Sequence, residues 1–192
     1  MICRYPSYST DRVEVGPVLA RDIPQIASVF AESFRGSVTH LFGDLVPFGA
    51  VEDLFRACLD SEPGGFHAAR DEGRVAGYVF APSSMARLWR VALLRGHVLR
   101  WIGRWISGEY GFGMKPIGTL LADKVGFVSS AMAGGPYVDA RILSIAVSPG
   151  YRGKGIGSRL LRAGLDYLDR LGVARVRLEV RPANAPAIAM YR

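Results

Sequence analysis

The chain has 192 residues, with 24 basic and 17 acidic side chains and a formal net charge of +7. Hydrophobic residues make up 49% and charged residues 21%, ordinary globular usage that excludes a disordered or membrane-embedded class, and a domain of this length buries roughly 70% of the surface its unfolded form exposes. The positive charge is concentrated in two stretches, 6 basic against 1 acidic residue over 83–115 and 9 against 3 over 150–192, while residues 1–82 carry 7 basic and 11 acidic; such asymmetry suits a polyanion, whether phosphate, nucleic acid or an acidic membrane surface.

At the N-terminus, MICRYPSYSTDRVEV has no continuous apolar stretch, and nowhere do about 18 apolar residues run uninterrupted. The expected location is therefore the cytoplasm. A strand is predicted over Val13 to Leu19, followed by a helix with Asp22 as N-cap, Pro24 in its first turn and Ile23, Ile26, Val29 and Phe30 at helical spacing. A second helix is predicted from Val51 to Leu59. Cys3 and Cys58 lack CxxC spacing and a zinc-like partnership with His40, His67 or His97, so free thiols and no metal centre are expected.

GFHAARDEGRVAGYVFAP reads as two strands joined through Asp71, Glu72 and Gly73, a hairpin signal. In RLWRVALLRGHVLRWIGRWI, Val91, Leu94, Val98, Trp101, Ile102 and Trp105 fall near one helical face and Arg90, His97, Arg100 and Arg104 towards the other, with Gly96 placed to break the helix in two. ARILSIAVSP, Arg141 to Pro149, is an apolar run of strand length, as expected of a central strand covered on both faces. Ile156, Leu160, Leu161, Gly164, Leu165, Leu168 and Leu171 then form one helix face ending at Gly172. ARVRLEV alternates as a strand, and Asn184 with Pro186 opens a further helix. A strand, helix, strand unit over 141–181 makes those two strands parallel. The fold class is α/β.

Between strand and helix stands YRGKGIGSRLL, Tyr151 to Leu161. A helix N-terminus offers unpaired N–H donors and the positive end of the macrodipole, Gly153, Gly155 and Gly157 remove side chains that would hold a phosphate off, and Arg152 and Lys154 add charge. A diphosphate ligand fits. A Walker A loop fails because Gly155, and not Ser or Thr, follows Lys154. A dinucleotide fingerprint is closer, with Glu179 about 20 residues downstream, but Pro149 to Arg152 separates the strand from the glycines and 11 residues after Arg181 are too few for the rest of a doubly wound sheet.

These residues resemble the GNAT superfamily of acyl-CoA-dependent N-acetyltransferases. Its motif [QR]xxGx[GA] is met by Arg152, Gly155 and Gly157 after the strand LSIAVSP, and LEVRPANAPAIAMYR is similar to its strand, Asn and Tyr-bearing helix. The resemblance covers Arg141 to Arg192, with 13–35 and 65–82 fitting less closely. It implies one domain over 1–192 with a mixed, mostly antiparallel sheet, a parallel crossover and flanking helices.

The resemblance also implies acetyl-CoA as cosubstrate and no metal. Its pyrophosphate would sit on Arg152, Gly153, Lys154, Gly155, Ile156 and Gly157, and its pantetheine arm on main-chain groups of Ile145, Ala146 and Val147. Asn184 would bond the pantetheine or an active-site water. Tyr191 would protonate the departing thiolate, an ordinary tyrosine remaining protonated at neutral pH. Glu179 would be the base, since LEVR followed by Asn and then Tyr resembles the ribosomal-protein N-terminal alanine acetyltransferases; a glutamate needs burial to serve well near pH 7. The competing reading of Glu179 is a solvated charge paired with Arg177 or Arg181, and Asp139 is the reserve base.

Two departures from the family pattern carry further expectations. Residues 83–140 stand where a short turn is usual, and are expected to form a helical cap or acceptor-pocket wall, with membrane-surface contact through 85–106 the lesser reading and no nucleic acid expected. The sequence ends at MYR, before the family's last two strands, so an exposed sheet edge and a homodimer are readings left open. The partner is an amine-bearing small molecule or protein. The competing function is a non-catalytic acyl-CoA-binding or membrane-associated module using the basic insertion.

Overall fold

The computed structural model describes residues 12–35, 47–111, 139–180 and 187–188. In chain order these hold β1 (Val13–Pro17), α1 (Ile23–Ser33), α2 (Phe48–Ser61), β2 (Phe66–Asp71), β3 (Arg74–Phe80), α3 (Met85–Leu94), α4 (His97–Ile106), β4 (Arg141–Ile142), β5 (Ser144–Val147), α5 (Ile156–Arg170) and β6 (Arg177–Leu178). β1, β2, β3 and β5 make an antiparallel sheet in that order, and β4 pairs in parallel with β6. The mixed, mostly antiparallel sheet and the parallel crossover expected from the sequence are both present.

The β2–β3 hairpin turns on Glu72 (φ 48°) and Gly73 (φ 84°), the two left-handed residues that a tight turn matched to strand twist requires. Alternation along β3 then feeds two cores. Tyr78 and Phe80 face α1 and α2, where Phe55, Phe66, Tyr78 and Phe80 stack with ring centroids 5.2–6.2 Å apart. Val79 and Ala81 face α5, whose Ile156, Leu160 and Leu168 are buried against them. At Gly164 a Cβ would lie 3.1 Å from that of Ala81, so the predicted apolar face carries a glycine where helix and sheet come closest. Cys58 is a free thiol in the first core, and burial pushes it up to about 12, leaving it protonated and inert. Cys3 lies outside the described residues.

Asp22 occupies the N-cap position of α1, with Pro24 in the first turn, but its carboxylate does not cap the helix. Asp22 itself has helical backbone angles at the end of a short 3-10 turn, so its side chain turns back to accept the Leu19 N–H at 2.7 Å and pairs with Arg70 of β2.

The helical pattern over 85–106 breaks where expected. Gly96, at φ 74°, separates α3 from α4, and both pack on α2. Asp53 of α2 is buried and accepts from Arg104 Nη1 at 2.6 Å, Tyr110 Oη at 2.7 Å and Arg56 Nη1 at 3.2 Å. The apolar face predicted from Val91 to Trp105 is met only in part: Val91, Val98, Trp101 and Trp105 are half-buried, but Leu94 and Ile102 are exposed. The turn at Gly96 gives each helix its own axis, so residues on either side no longer share one face.

Candidate functional site

The predicted central strand is broken at Leu143, and that break forms a fork. Ile142 pairs with Leu178 of β6, whereas Ser144 to Val147 pair only with β3 among the described residues. Ser148 N–H donates to the Ala76 carbonyl at 2.9 Å, which by antiparallel alternation places Ala146 in the hydrogen-bonded pair with Tyr78. The main-chain groups of Ile145 and Val147 therefore point away from β3, along an edge without a strand partner among the described residues. Ala146 packs into the core beside α1 while Ile145 and Val147 pack, half-buried, against the α5 core, so the strand is covered on both faces as its composition led us to expect.

Beyond β5 the chain makes a short turn at Pro149–Tyr151 and enters α5 through Gly153 and Gly155, each at φ 72°, a left-handed angle that disfavours other residues. A Cβ at either glycine would meet nothing within 4 Å, so the space before the helix is open. The first main-chain bond back from α5 runs from Arg159 N–H to Gly155 O at 3.1 Å; the N–H groups of Ile156, Gly157 and Ser158 have no partner within the helix. No side chain caps this end. The arrangement supplies several converging donors at the positive pole of a four-turn helix, a seat for an anion.

The turn is held from three sides. Arg152 Nε donates to Val147 O at 2.9 Å and its Nη2 to Ser33 Oγ at 3.3 Å. The buried Tyr151 donates from its hydroxyl to Asp71 at 2.9 Å, and Lys154 Nζ stands 5.7 Å from the centroid of the Tyr151 ring. Ser148 Oγ donates to Glu32 at 2.9 Å. These contacts fix the glycines relative to β5 and α1, so the anion seat and the open edge form one continuous track.

A track of this kind, a bare strand edge leading into a glycine-flanked helix start, agrees with what the sequence matches. Over residues 24–192 it matches the acetyltransferase (GNAT) family. The chain belongs to that family. It is 47% identical over 53 residues to the ribosomal protein bS18-alanine N-acetyltransferase of Escherichia coli (strain K12), a match covering 28% of this chain and 36% of that protein, so the chain spans about a third of the length of this relative. Two solved structures share the fold: PH1933 from Pyrococcus horikoshii OT3, with a TM-score of 0.58 at 15% identity over 93% of this chain and 85% of that one, and the PaiA N-acetyltransferase of Thermoplasma acidophilum in complex with coenzyme A, with 0.53 at 14% over 93% and 86%.

Within this GNAT fold the sequence-predicted residues separate into groups. Ile145, Ala146, Val147, Arg152, Gly153, Lys154, Gly155, Ile156 and Gly157 come together along the track. Asn184 and Tyr191 lie outside the described residues. Glu179 follows β6 directly, 59% exposed in its side chain and paired with Arg177 at 3.0 Å, the solvated arrangement weighed above against a buried base. Asp139 accepts from Ser84 Oγ at 2.6 Å, and its other oxygen is buried without a partner among the described residues.

Other residues at the site carried no signal in the sequence. Tyr78 and Ser144 share a hydroxyl–hydroxyl bond of 2.8 Å at the mouth of the fork, and burial raises Tyr78 well above the ordinary tyrosine value, so its proton stays. Tyr151 stood in the quoted motif without a role, and only its burial and its bond to Asp71 show that it anchors the turn. Glu32 and Ser33 lie more than a hundred residues away in sequence from Ser148 and Arg152, a separation that no local spacing signals. Among the described residues, no group of three or more His, Cys, Asp or Glu side chains could hold a metal ion.

Proposed function

We propose that the chain transfers the acetyl group of acetyl-CoA to a primary amine by direct attack in a ternary complex, and that the amine is the terminal α-amine of a protein. The observation that carries this reading is the track itself. The edge of β5 offers an amide donor and acceptor at Ile145 and a donor at Val147 to an extended amide-bearing arm, and the α5 entrance offers its N–H groups to a diphosphate. Arg152 occupies the Val147 carbonyl and holds the turn in register with that edge. Gly153, Lys154, Gly155, Ile156 and Gly157 would hold the pyrophosphate, and Asn184 the arm or a water.

In the reaction the amine nitrogen bonds to the thioester carbonyl carbon and the C–S bond breaks. The amine proton goes to Glu179, which must leave Arg177 to take it, and the thiolate takes the proton of Tyr191, while a main-chain N–H near Val147 steadies the carbonyl oxygen as it gains charge. The protein α-amine is favoured by likeness to an enzyme named for alanine on a ribosomal protein, and by the Glu179, Asn184, Tyr191 spacing.

The test is calorimetry with acetyl-CoA, together with a thiol-release assay against peptides beginning with alanine, the same peptides with blocked termini, and small diamines. Release with free-terminus peptides alone supports the reading. Release with diamines alone would overturn the acceptor assignment, binding without release from any amine would favour a non-catalytic acyl-CoA module, and NAD binding in place of coenzyme A would overturn both.

A further inference from the structure

The α3–α4 hairpin turns apolar side chains outward. On α4 the side facing the protein is partly polar: His97 Nε2 meets Asp60 of α2 at 2.9 Å and Arg104 meets the buried Asp53 at 2.6 Å, with the half-buried Trp101 between them. The opposite side carries Leu99, Ile102 and Ile106 at steps of three and four, 74%, 47% and 74% exposed, and Leu94 just before the turn is 79% exposed. A helix that packs on a core by hydrophobic burial points such residues inward. Here the Arg104–Asp53 ion pair, the His97–Asp60 hydrogen bond and the half-buried Trp101 hold the inner edge, and a stripe of large aliphatic side chains is left in water, a pattern that scattered surface leucines do not make.

The charge carried by the hairpin itself is of one sign, with Asp60 of α2 beside its turn and Glu109 following α4. Residues 83–108 include five arginines and no acidic side chain. Arg87, Arg90 and Arg100 have no ion-pair partner among the described residues, and Arg95 reaches Asp60 only at 3.7 Å. Beside the turn, a cavity of about 520 Å³ is lined by Arg56, Asp60, Arg95, His97 and Arg100 among others, giving a cationic recess next to Leu94 and Leu99 in the chain.

We propose that the α3–α4 hairpin seats this protein on an anionic lipid bilayer, with Leu94, Leu99, Ile102 and Ile106 entering the acyl boundary and Arg90, Arg95 and Arg100 meeting headgroup phosphates. Aliphatic residues on one side of a short helix with arginines at its margins match the two layers of a membrane interface, and the arginine stems extend the apolar contact while the guanidinium groups stay among the phosphates. Among the described residues no helix is long and apolar enough to cross a membrane, so the hairpin lies on the surface. A second copy is the poorer occupant: two-fold pairing sets the same face against itself, bringing arginines onto arginines with no acid in the stretch to answer them.

The test is flotation of the full chain with vesicles of phosphatidylcholine alone and of equal parts phosphatidylcholine and phosphatidylglycerol. Tryptophan emission reports insertion, and sedimentation follows self-association. Binding should be at least about tenfold stronger to the anionic vesicles and should weaken with added salt. The double variant Ile102→Asp with Ile106→Asp should lose about tenfold or more of that binding, and Arg90→Gln with Arg100→Gln should lose the preference for phosphatidylglycerol. Both variants alter exposed side chains, and unchanged circular dichroism and acetyl-CoA affinity would confirm that they fold. The proposal is overturned if the wild-type chain ignores anionic vesicles at low salt, if folded variants bind them as well as wild type, or if the aspartates instead dissolve a concentration-dependent dimer.

Discussion

Arg152 donates from Nε to the Val147 carbonyl at 2.9 Å and from Nη2 to Ser33 Oγ at 3.3 Å, so one guanidinium joins the glycine turn, the end of β5 and the last residue of α1. Its planar fork reaches both acceptors at once, which an ammonium on a flexible stem does not reproduce. Arg152→Ala should raise KM for acetyl-CoA about tenfold and change kcat by less than about threefold, the signature of lost ground-state binding. Arg152→Lys should recover only part of that loss. Steady-state kinetics at saturating acceptor check both.

Gly155 separates backbone strain from blocked space. Its φ of 72° disfavours any side chain, but a Cβ there would meet nothing within 4 Å. Gly155→Ala should therefore cost about 1–2 kcal/mol in urea unfolding, from the backbone alone. Gly155→Glu places bulk and negative charge in the anion seat. Calorimetry should find acetyl-CoA binding weakened by about a hundredfold or more in that variant.

Tyr191→Phe removes only the proposed acid. Acetyl-CoA affinity should stay within about twofold of wild type and kcat should fall about a hundredfold, the lower end of what a positioned general acid supplies. Full kcat in this variant would take the role from Tyr191. Glu179→Gln should lower kcat/KM most below neutral pH, where the acceptor amine is most fully protonated.

Asp53 ties α4 to α2. It is buried and takes bonds from Arg104, Tyr110 and Arg56. Asp53→Ala should destabilise the chain by about 1–2 kcal/mol, because three hydrogen bonds are lost while Arg104 and Arg56, both partly exposed, keep water and Glu109 and Glu52 as partners. Denaturant midpoints give the value, and protease cleavage within α3–α4 should accelerate.

The Asp22–Arg70 pair predicts an acid limb in stability. Burial pushes Asp22 up, but the bond from Arg70, the Leu19 N–H and the nearby arginines outweigh it, and the carboxyl ends below its ordinary 3.8. A depressed folded-state value means that its contribution is complete above about 3.8 and is lost as pH falls through the lower folded value. Asp22→Asn should lower Tm at neutral pH and flatten the difference from wild type below pH 3.8, read from thermal melts across pH.

Much of this was legible in the sequence because it is local. The two-residue hairpin turn, the break at Gly96, the apolar face of α5 and the glycines before it each follow from a few adjacent residues. The parallel pairing of β4 with β6 followed from their connection. The fork at Leu143 was not legible, since an apolar run reads the same whether β6 pairs along its whole length or, as here among the described residues, only along Arg141–Ile142. Nor was the outward face of α4, because the hydrogen bonds that orient it join Arg104 and His97 to Asp53 and Asp60, some forty to fifty residues earlier. Asp22 shows the same limit: its position was right, but Arg70 and the backbone angles at the turn decide where its carboxylate points.

A crystal structure with acetyl-CoA tests the central claim most directly. The account predicts diphosphate density against the main-chain N–H groups at the start of α5, and pantetheine density running along the bare edge of β5 towards the fork. Density for the coenzyme in the cationic recess beside α4, or anywhere that leaves the α5 entrance empty, would contradict it.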